Sequence, residues 1–217
     1  MSAEHRAAGS AAISDLPIFP LNTVLFPAGL LPLRIFEQRY MDMAKHCLKD
    51  NQPFGVCLIR SGREVGAPAI PEPVGCTARI VEWDMRQLGV LAVKTCGEQR
   101  FRIREARVTE AGLTRASVDM IAHEVDAQLP EEFSACSVLL KAVMAERGEG
   151  IIGTPLRFDS SAWVGARLTE ILPVPLAAKQ KLLELDDPLQ RIEILHKFLL
   201  QHRLCESPAQ ARDKSKL

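Results

Sequence analysis

The stretch LPLRIFEQRY, Leu31–Tyr40, begins with the period of a β-strand and ends with the period of an α-helix. Apolar residues alternate from Leu31 to Ile35, and Pro32 restricts this strand to a sheet edge or a strand start. The apolar spacing that follows is that of a helical face, on which Phe36 and Tyr40 are expected to pack inward. The stretch therefore predicts an edge strand that leads directly into a helix.

The same ten residues contain three charged side chains, Arg34, Glu37 and Arg39, among large apolar neighbours. Two interpretations are open for this set. It either forms a network of ion pairs that joins two lobes of the protein or faces a peptide.

The composition limits the classes of function. The chain has 217 residues, with 27 basic and 27 acidic side chains and no net charge. This balance weighs against a dedicated nucleic-acid binder and against a protein held on anionic lipid. No apolar run is long enough to span a membrane, and the first fourteen residues are read as a disordered arm without a secretory signal.

The six cysteines have irregular spacing and include no C-x-x-C pair. In a chain of this size, the pattern indicates reduced thiols, several of them buried, and a cytoplasmic location.

Strand patterns dominate the first half of the chain. PFGVCLI, Pro53–Ile59, is a continuous apolar run typical of a strand buried on both faces, and the segment Arg60–Gly75 is read as one long exposed loop. Further short strands follow, separated by the turn signals RQLG, GEQ and EAG. Strands at hairpin spacing indicate a barrel or a sandwich.

In two of these strands, the alternation of apolar and polar residues shifts by one position partway along the strand. The alternation restarts at Ile80–Val81 and again at Arg104–Glu105. A one-residue slip would turn every later side chain to the opposite face, so we predict a β-bulge at each position.

The second half of the chain has helical periodicity. Four helices are predicted, within Pro130–Gly148, Ser160–Leu172, Pro175–Asp186 and Pro188–Arg203. Asp187 is expected to cap the last of them. The fold class is therefore α+β, with a β-barrel lobe at residues 15–125 that contains one inserted helix, a helical lobe at 126–203 and a flexible tail at 204–217.

Motifs of catalysis and cofactor binding are missing from the sequence. GEGIIGTP, Gly148–Pro155, has glycines at phosphate-loop spacing but no lysine, so it is read as a helix linker. Cys47 or Cys57, with His46, remains as an alternative nucleophile or metal site. No cofactor and no metal are predicted.

Two further side-chain patterns have structural interpretations. Arg100, Arg102 and Arg104 share one strand face, which we interpret as a solvated outer face, with nucleic-acid contact as the alternative. Trp83 and Trp163 are expected to pack in the core of their lobes.

The run LPIFPLNTVLFPAGLLPLRIFEQRY, Leu16–Tyr40, closely resembles the opening of the Lon protease N-terminal, substrate-recognition domain family. Later stretches are similar to the family in the same order: FGV at 54–56, VGCTARI at 74–80, RFRI at 100–103 and LPVPLAAKQKLLELDDPLQRIEIL at 172–195. The resemblance covers about residues 15–203 and implies a PUA-like β-barrel followed by a helical bundle. On this resemblance we expect a stand-alone bacterial member of the family, without the ATPase and protease domains.

The resemblance implies a non-enzymatic module that binds a polypeptide or protein partner. The candidate contact residues are Phe26, Pro27, Arg34, Glu37 and Arg39. Two other classes remain as alternatives: an RNA- or nucleotide-binding PUA-like barrel protein, and an enzyme that uses a cysteine nucleophile.

Overall fold

The computed structural model describes residues 11–147 and 155–204. The expected linker at residues 148–154, the tail from residue 205 and the first ten residues of the arm lie outside these ranges. The elements in chain order are β1 (Ala12–Leu21), β2 (Leu30–Ile35), α1 (Gln38–Asp50), β3 (Phe54–Ser61), β4 (Ile70–Pro71), β5 (Val74–Gln87), β6 (Val90–Val108), β7 (Thr114–Met120), a 3₁₀ turn (Glu131–Phe133), α2 (Ser134–Arg147), α3 (Ser161–Ile171), α4 (Leu176–Glu184) and α5 (Pro188–Gln201).

Strand β1 closes the sheet on itself. It pairs in the antiparallel direction with β7 and in the parallel direction with β3, and the pairings continue from β7 through β6 and β5 to β3. Five strands therefore form a closed ring, which removes their edges. Because β1 begins at Ala12, residues 12–14 belong to this strand and not to the expected arm.

Strand β2 lies outside the ring, as the sequence predicts for Leu31–Ile35. Among the described strands it pairs with β6 alone, with Leu30 opposite Cys96 and Ile35 opposite Leu91. The α+β class is confirmed, with a β-rich lobe, one inserted helix and a group of C-terminal helices.

One turn expected from the sequence, at GEQ (residues 97–99), is absent because these residues lie inside strand β6. The segment GEQ does not separate two strands, because β6 continues without a break for 19 residues. Gly97 is required at its centre, since the backbone of the β1–β2 connection crosses there. The Gly97 N–H donates to the Gly29 carbonyl at 2.8 Å, and the Ala28 N–H donates to the Gly97 carbonyl at 2.7 Å.

The two predicted bulges are confirmed. The β5–β6 register shifts between Ile80 and Glu82, and the β6–β7 register shifts between Ile103 and Glu105. The expected exposed loop at residues 60–75 is partly wrong, because it contains β4, whose Pro71 lies opposite Ile59 of β3. The two-faced burial of β3 is confirmed from Phe54 to Leu58.

The four predicted helices are present in the described residues. Asp187 caps α5 by accepting a 2.9 Å hydrogen bond from the Leu189 N–H, and Ser160 caps α3 by accepting one from the Trp163 N–H at 3.0 Å. The apolar faces of these helices share one core with residues of the β-rich lobe, including Phe26. The two lobes are therefore joined by continuous packing.

Two expectations about aromatic residues are wrong. Trp83 is 62% exposed, because the end of β5 extends past its neighbour β3, whereas Trp163 is buried as expected. Phe36 is 55% exposed, because α1 begins two residues later and Phe36 lies in the connection. Tyr40 is buried and stacks on Phe19, with the ring centroids 3.9 Å apart.

No helix within residues 11–147 and 155–204 combines the length and the apolar character that a membrane crossing requires.

Candidate functional site

The five predicted contact residues lie at three separate places. Phe26 and Pro27 line a cavity of about 250 Å³ between the two lobes. Arg34 and Glu37 line a groove of about 170 Å³ beside β2. Arg39 lines a cavity of about 400 Å³ between α1, β1 and the turn that follows β6. The structure therefore does not bring the five residues together in one site.

Phe26 and Pro27 are part of the junction between the lobes. The Phe26 side chain is fully buried, with the Arg191 guanidinium 5.6 Å from its ring centroid. The Pro27 carbonyl accepts a 2.9 Å hydrogen bond from Nη2 of Arg167. The Phe26 ring is consequently not accessible to a polypeptide, and we leave Phe26 out of the proposed site.

Arg39 and Glu37 form a local structural contact. Nη2 of Arg39 donates to Oε2 of Glu37 at 2.9 Å, and Nη1 donates to the Gly112 carbonyl at 2.9 Å. These bonds tie the start of α1 to the β6–β7 turn. Arg39 and Glu37 therefore form an ion pair, as one of the two interpretations of the charged set expected. This pair does not join the two lobes, because both residues and the Gly112 carbonyl lie within the β-rich lobe.

The ion pairs that join the lobes involve different arginines. Nη1 of Arg100 donates to the Leu183 and Leu185 carbonyls at 2.8 and 2.7 Å, and its Nη2 donates to Asp186 at 2.9 Å. Arg191 donates to both carboxylate oxygens of Glu124. Because Arg100 is buried, the predicted basic face of Arg100, Arg102 and Arg104 is not a continuous solvated surface, which removes the main support for nucleic-acid contact.

Arg167 and Glu170 complete this junction. The two side chains form a 2.9 Å ion pair, and Oε1 of Glu170 accepts a 3.2 Å hydrogen bond from the Phe26 N–H. Burial raises the pKa of Glu170, while the Arg167 charge and these hydrogen bonds oppose the rise. The sequence signal for such residues is a charged side chain within an apolar helical face, as Arg191 lies beside Ile192 and Leu195.

The groove beside β2 combines an open strand edge with exposed apolar side chains. Its walls include Phe36, which is 55% exposed, and Val65, which is 56% exposed. Arg34 is exposed and donates a 3.1 Å hydrogen bond to Gln87, while Glu37 and Glu64 supply negative charge. This geometry suits an extended segment with an apolar side chain and mixed charges.

The cysteines offer no support for a nucleophilic or metal site. Burial raises the pKa of the Cys47 thiol to about 11, although the positive charge of Arg115 lowers it slightly. Burial also raises the pKa of Cys57 far above its usual range. Within the described ranges, no three histidine, cysteine, aspartate or glutamate side chains cluster closely enough to hold a metal ion.

Comparison with known proteins identifies the family. Residues 15–201 match the sequence profile described as the ATP-dependent protease La (LON) substrate-binding domain. Lon protease 2 of Myxococcus xanthus is 29% identical over 197 residues, which are 87% of this chain and 24% of that protein. Cereblon of Danio rerio is 26% identical over 132 residues, 59% of this chain and 30% of that protein. The chain thus spans about a quarter of the length of these relatives.

Solved structures of Lon N-terminal domains have the same fold as this chain. The Lon N-terminal domain protein from Xanthomonas campestris superposes with a TM-score of 0.70 at 34% identity, covering 84% of this chain and 97% of that one. The N-terminal domain of the Mycobacterium avium complex Lon protease has the same fold, with a TM-score of 0.57 at 18% identity and coverage of 87% and 100%. No ATPase or protease domain appears within the 217 residues of this chain. The chain belongs to the Lon substrate-binding domain family.

Proposed function

We propose that the protein is a non-enzymatic module that binds polypeptide, and that an extended segment of the partner lies along the free edge of β2. The observation that supports this proposal is the groove lined by Arg34 and Glu37, where an unpaired strand edge lies beside exposed apolar side chains. The substrate-binding role for which the matched family is named supports the same class of ligand.

The backbone of β2 can bind an added peptide strand along its free edge. An edge strand has main-chain N–H and C=O groups that are not used within its own sheet, and an added peptide strand can bind them in any sequence context. Pro32 lacks an N–H, so it interrupts this row of donors. The edge therefore favours a short segment over continued growth of a sheet.

The exposed apolar side chains of the groove can act as anchors for a partner. Phe36, directly after β2, and Val65, in the β3–β4 connection, both line the groove, and each is more than half exposed. Apolar anchors that become fully covered contribute most of the affinity of many interfaces. We expect one apolar side chain of the partner to lie between Phe36 and Val65.

The charged residues of the groove also favour a polypeptide ligand. Arg34, Glu37 and Glu64 all line the groove, so its walls carry both positive and negative charge. The groove accordingly suits a partner with an acidic residue near Arg34 and a basic residue towards Glu64, an arrangement that selects orientation more than affinity.

The test uses fluorescently labelled, reduced and carboxymethylated α-lactalbumin as an unfolded polypeptide, with binding measured by fluorescence anisotropy. The double variant Phe36→Ser, Val65→Ser should weaken binding by about tenfold, the loss expected when two exposed anchors are removed. Val138→Ser is the matched control, because Val138 is 64% exposed on α2 and distant in the chain from the groove. Equal affinity of the double variant and the wild type would contradict the proposed site, and the absence of saturable binding would contradict the function.

A further inference from the structure

The sheet has a second open strand edge, on β5. Strand β3 pairs with β5 at Cys76, Thr77 and Ala78, where the pairing of these two strands ends. From there β5 continues to Gln87, and β6 is the sole described strand that pairs with this part of it. No described strand therefore uses the main-chain N–H and C=O groups on the outer side of β5 beyond Ala78, and an added strand can bind such groups.

Large apolar side chains are exposed along this edge. Val81 is 51% exposed, Trp83 is 62% exposed and Met85 is 44% exposed. Trp83 and Met85 are two residues apart in a strand, so their side chains lie on one face of it. Tryptophan is highly buried in most proteins, and an exposed indole beside further apolar groups is typical of a surface that binds a partner.

The size of this surface distinguishes between two kinds of partner. Val81, Trp83 and Met85 together expose roughly 300 Å², if a free large side chain presents about 150–250 Å². A stable complex of two folded proteins buries about 800 Å² on each of them. The surface is thus smaller than a second copy of this chain would need, but it is sufficient for a few side chains of one extended segment. The open main-chain groups favour the same partner, because another extended backbone pairs with them in a row.

The two open edges belong to one part of the sheet. Leu33 of β2 and Trp83 of β5 lie opposite the same residue of β6, Val93. Strands β2 and β5 therefore flank β6, and their open edges face away from each other. Neighbouring strands are about 4.8 Å apart, so two added strands would lie about 19 Å apart across this part of the sheet. An extended chain spans about 3.3 Å per residue, so a connection of about ten residues reaches from one edge to the other.

We infer that the edge of β5 beside Trp83 binds a second extended segment of polypeptide, so that one unfolded chain is held on both edges of the sheet. The inference rests on the proposed function, because the first segment is the one that lies along β2. Once one segment is bound, the second binds within the same complex and at a high effective concentration. The arrangement therefore selects long unfolded chains over short peptides.

The test uses the peptide acetyl-TVKVEVTS-amide, which alternates valine with polar residues and contains no tryptophan. Titration into the intact protein should shift the emission of Trp83 to shorter wavelength and reduce its quenching by iodide, because an added strand covers the indole. Trp83→Phe should abolish both responses, which assigns them to β5 and not to the buried Trp163. The matched peptide acetyl-TVKPEVTS-amide should produce neither response, since its central proline has no N–H for the pairing.

A tandem peptide measures whether both edges are occupied at once. It contains two copies of TVKVEVTS joined by a glycine–serine linker of about twelve residues, and it should bind at least about tenfold more tightly than the single peptide. The variant Trp83→Ser, Met85→Ser should reduce this advantage to about twofold, the statistical factor for two copies of a ligand at one site. Val138→Ser, which removes an exposed apolar side chain from α2, is the matched control and should leave the advantage unchanged.

The groove variant Phe36→Ser, Val65→Ser separates this inference from the proposed function. It should lose affinity for carboxymethylated α-lactalbumin and keep the response of Trp83 to the single peptide. Saturable binding of α-lactalbumin to the wild type, without any response of Trp83 to either peptide, would overturn the inference and leave the proposed function intact. A tandem peptide that gains no more than about twofold in affinity over the single peptide would also overturn it.

Sedimentation velocity of the free protein tests the other occupant of this edge, a second copy of the chain. The wild type should sediment as the variant Trp83→Ser, Met85→Ser does. Self-association that this variant abolishes would show that the edge of β5 is an interface between copies, and it would overturn the inference.

Discussion

The guanidinium of Arg191 donates two hydrogen bonds to the carboxylate of Glu124, at 2.8 and 2.6 Å, across the boundary between the helical lobe and the β-rich lobe. Arg191 is fully buried, and its remaining donors bind the Leu182 and Leu185 carbonyls at 2.9 and 2.8 Å. One side chain therefore satisfies the turn between α4 and α5 and also connects this turn to the segment that follows β7. This contact joins the two lobes, together with those of Arg100 and Arg167.

The first prediction concerns this pair. Arg191→Met should lower the free energy of unfolding by about 3 kcal/mol, because it removes both hydrogen bonds to the buried Glu124 carboxylate, which keeps only a 3.6 Å ion pair with Arg100, and removes the side-chain donor of the Leu182 carbonyl. Urea denaturation followed by circular dichroism measures the change. Lys197→Met on the same helix is the control and should change the value by less than about 1 kcal/mol, since its ion pair with Glu193 is exposed. Similar losses for both variants would contradict the assignment.

The second prediction concerns Gly97. A β-carbon at this position would lie 2.2 Å from the Phe26 carbonyl oxygen, a backbone atom that cannot rotate away. Gly97→Ala should therefore destabilise the protein by at least about 1–3 kcal/mol, the usual range for overpacking. Ala92→Ser tests an exposed position of the same strand and should stay within about 0.5 kcal/mol of the wild type. A neutral Gly97→Ala would show that the two backbones do not cross so closely.

The third prediction concerns pH and the Cys47 thiol. With a pKa raised to about 11 by burial, the thiolate fraction of Cys47 should increase about tenfold for each pH unit between 7 and 10. Alkylation by iodoacetamide, located by peptide mapping, should follow the same slope. Cys57 and Cys76 are fully buried and should remain unlabelled until denaturant is added. A plateau of Cys47 alkylation near pH 8 would instead indicate an activated thiol.

The fourth prediction distinguishes the two tryptophans. Trp83 is 62% exposed on β5 and Trp163 is 6% exposed in α3, so iodide should quench the emission of Trp83 and leave that of Trp163 almost unchanged. Trp83→Phe should remove the quenchable component of the fluorescence. Strong quenching that persists in this variant would show that Trp163 is accessible to solvent.

The elements of the fold are predictable because their signals are local. The alternation before Phe36 indicates that β2 is an edge strand, and Pro32 agrees with that position. The phase slips indicate the bulges at Ile80–Val81 and Arg104–Glu105, since a change of face occurs within a few residues. Predictions fail where local signals mislead: Gly97 resembles a turn residue, but it is a glycine in a long strand where another backbone crosses.

The candidate site is only partly predictable. Arg34 and Glu37 lie beside the open edge of β2, within the charged set that the sequence singles out, whereas Phe26 is buried under the helical lobe. The spacing of Phe36 fits the face of α1 and predicts an interior position, yet the helix begins after it. A shift of two residues in the start of a helix decides whether this aromatic ring is covered or exposed, and sequence patterns do not resolve helix boundaries that finely.

The sequence by itself determined the family, the order of the helices, most of the strands, the Asp187 cap and the two bulges, because these depend on motifs and periods within short windows. Only the tertiary structure decided which charges are buried. Arg100, Arg167 and Arg191 are stabilised by carbonyls and carboxylates from segments distant in sequence, and the cavity beside α1 is bounded by three such segments. The burial of a guanidinium depends on acceptors that the folded chain brings to it, so no pattern local to the arginine can reveal it.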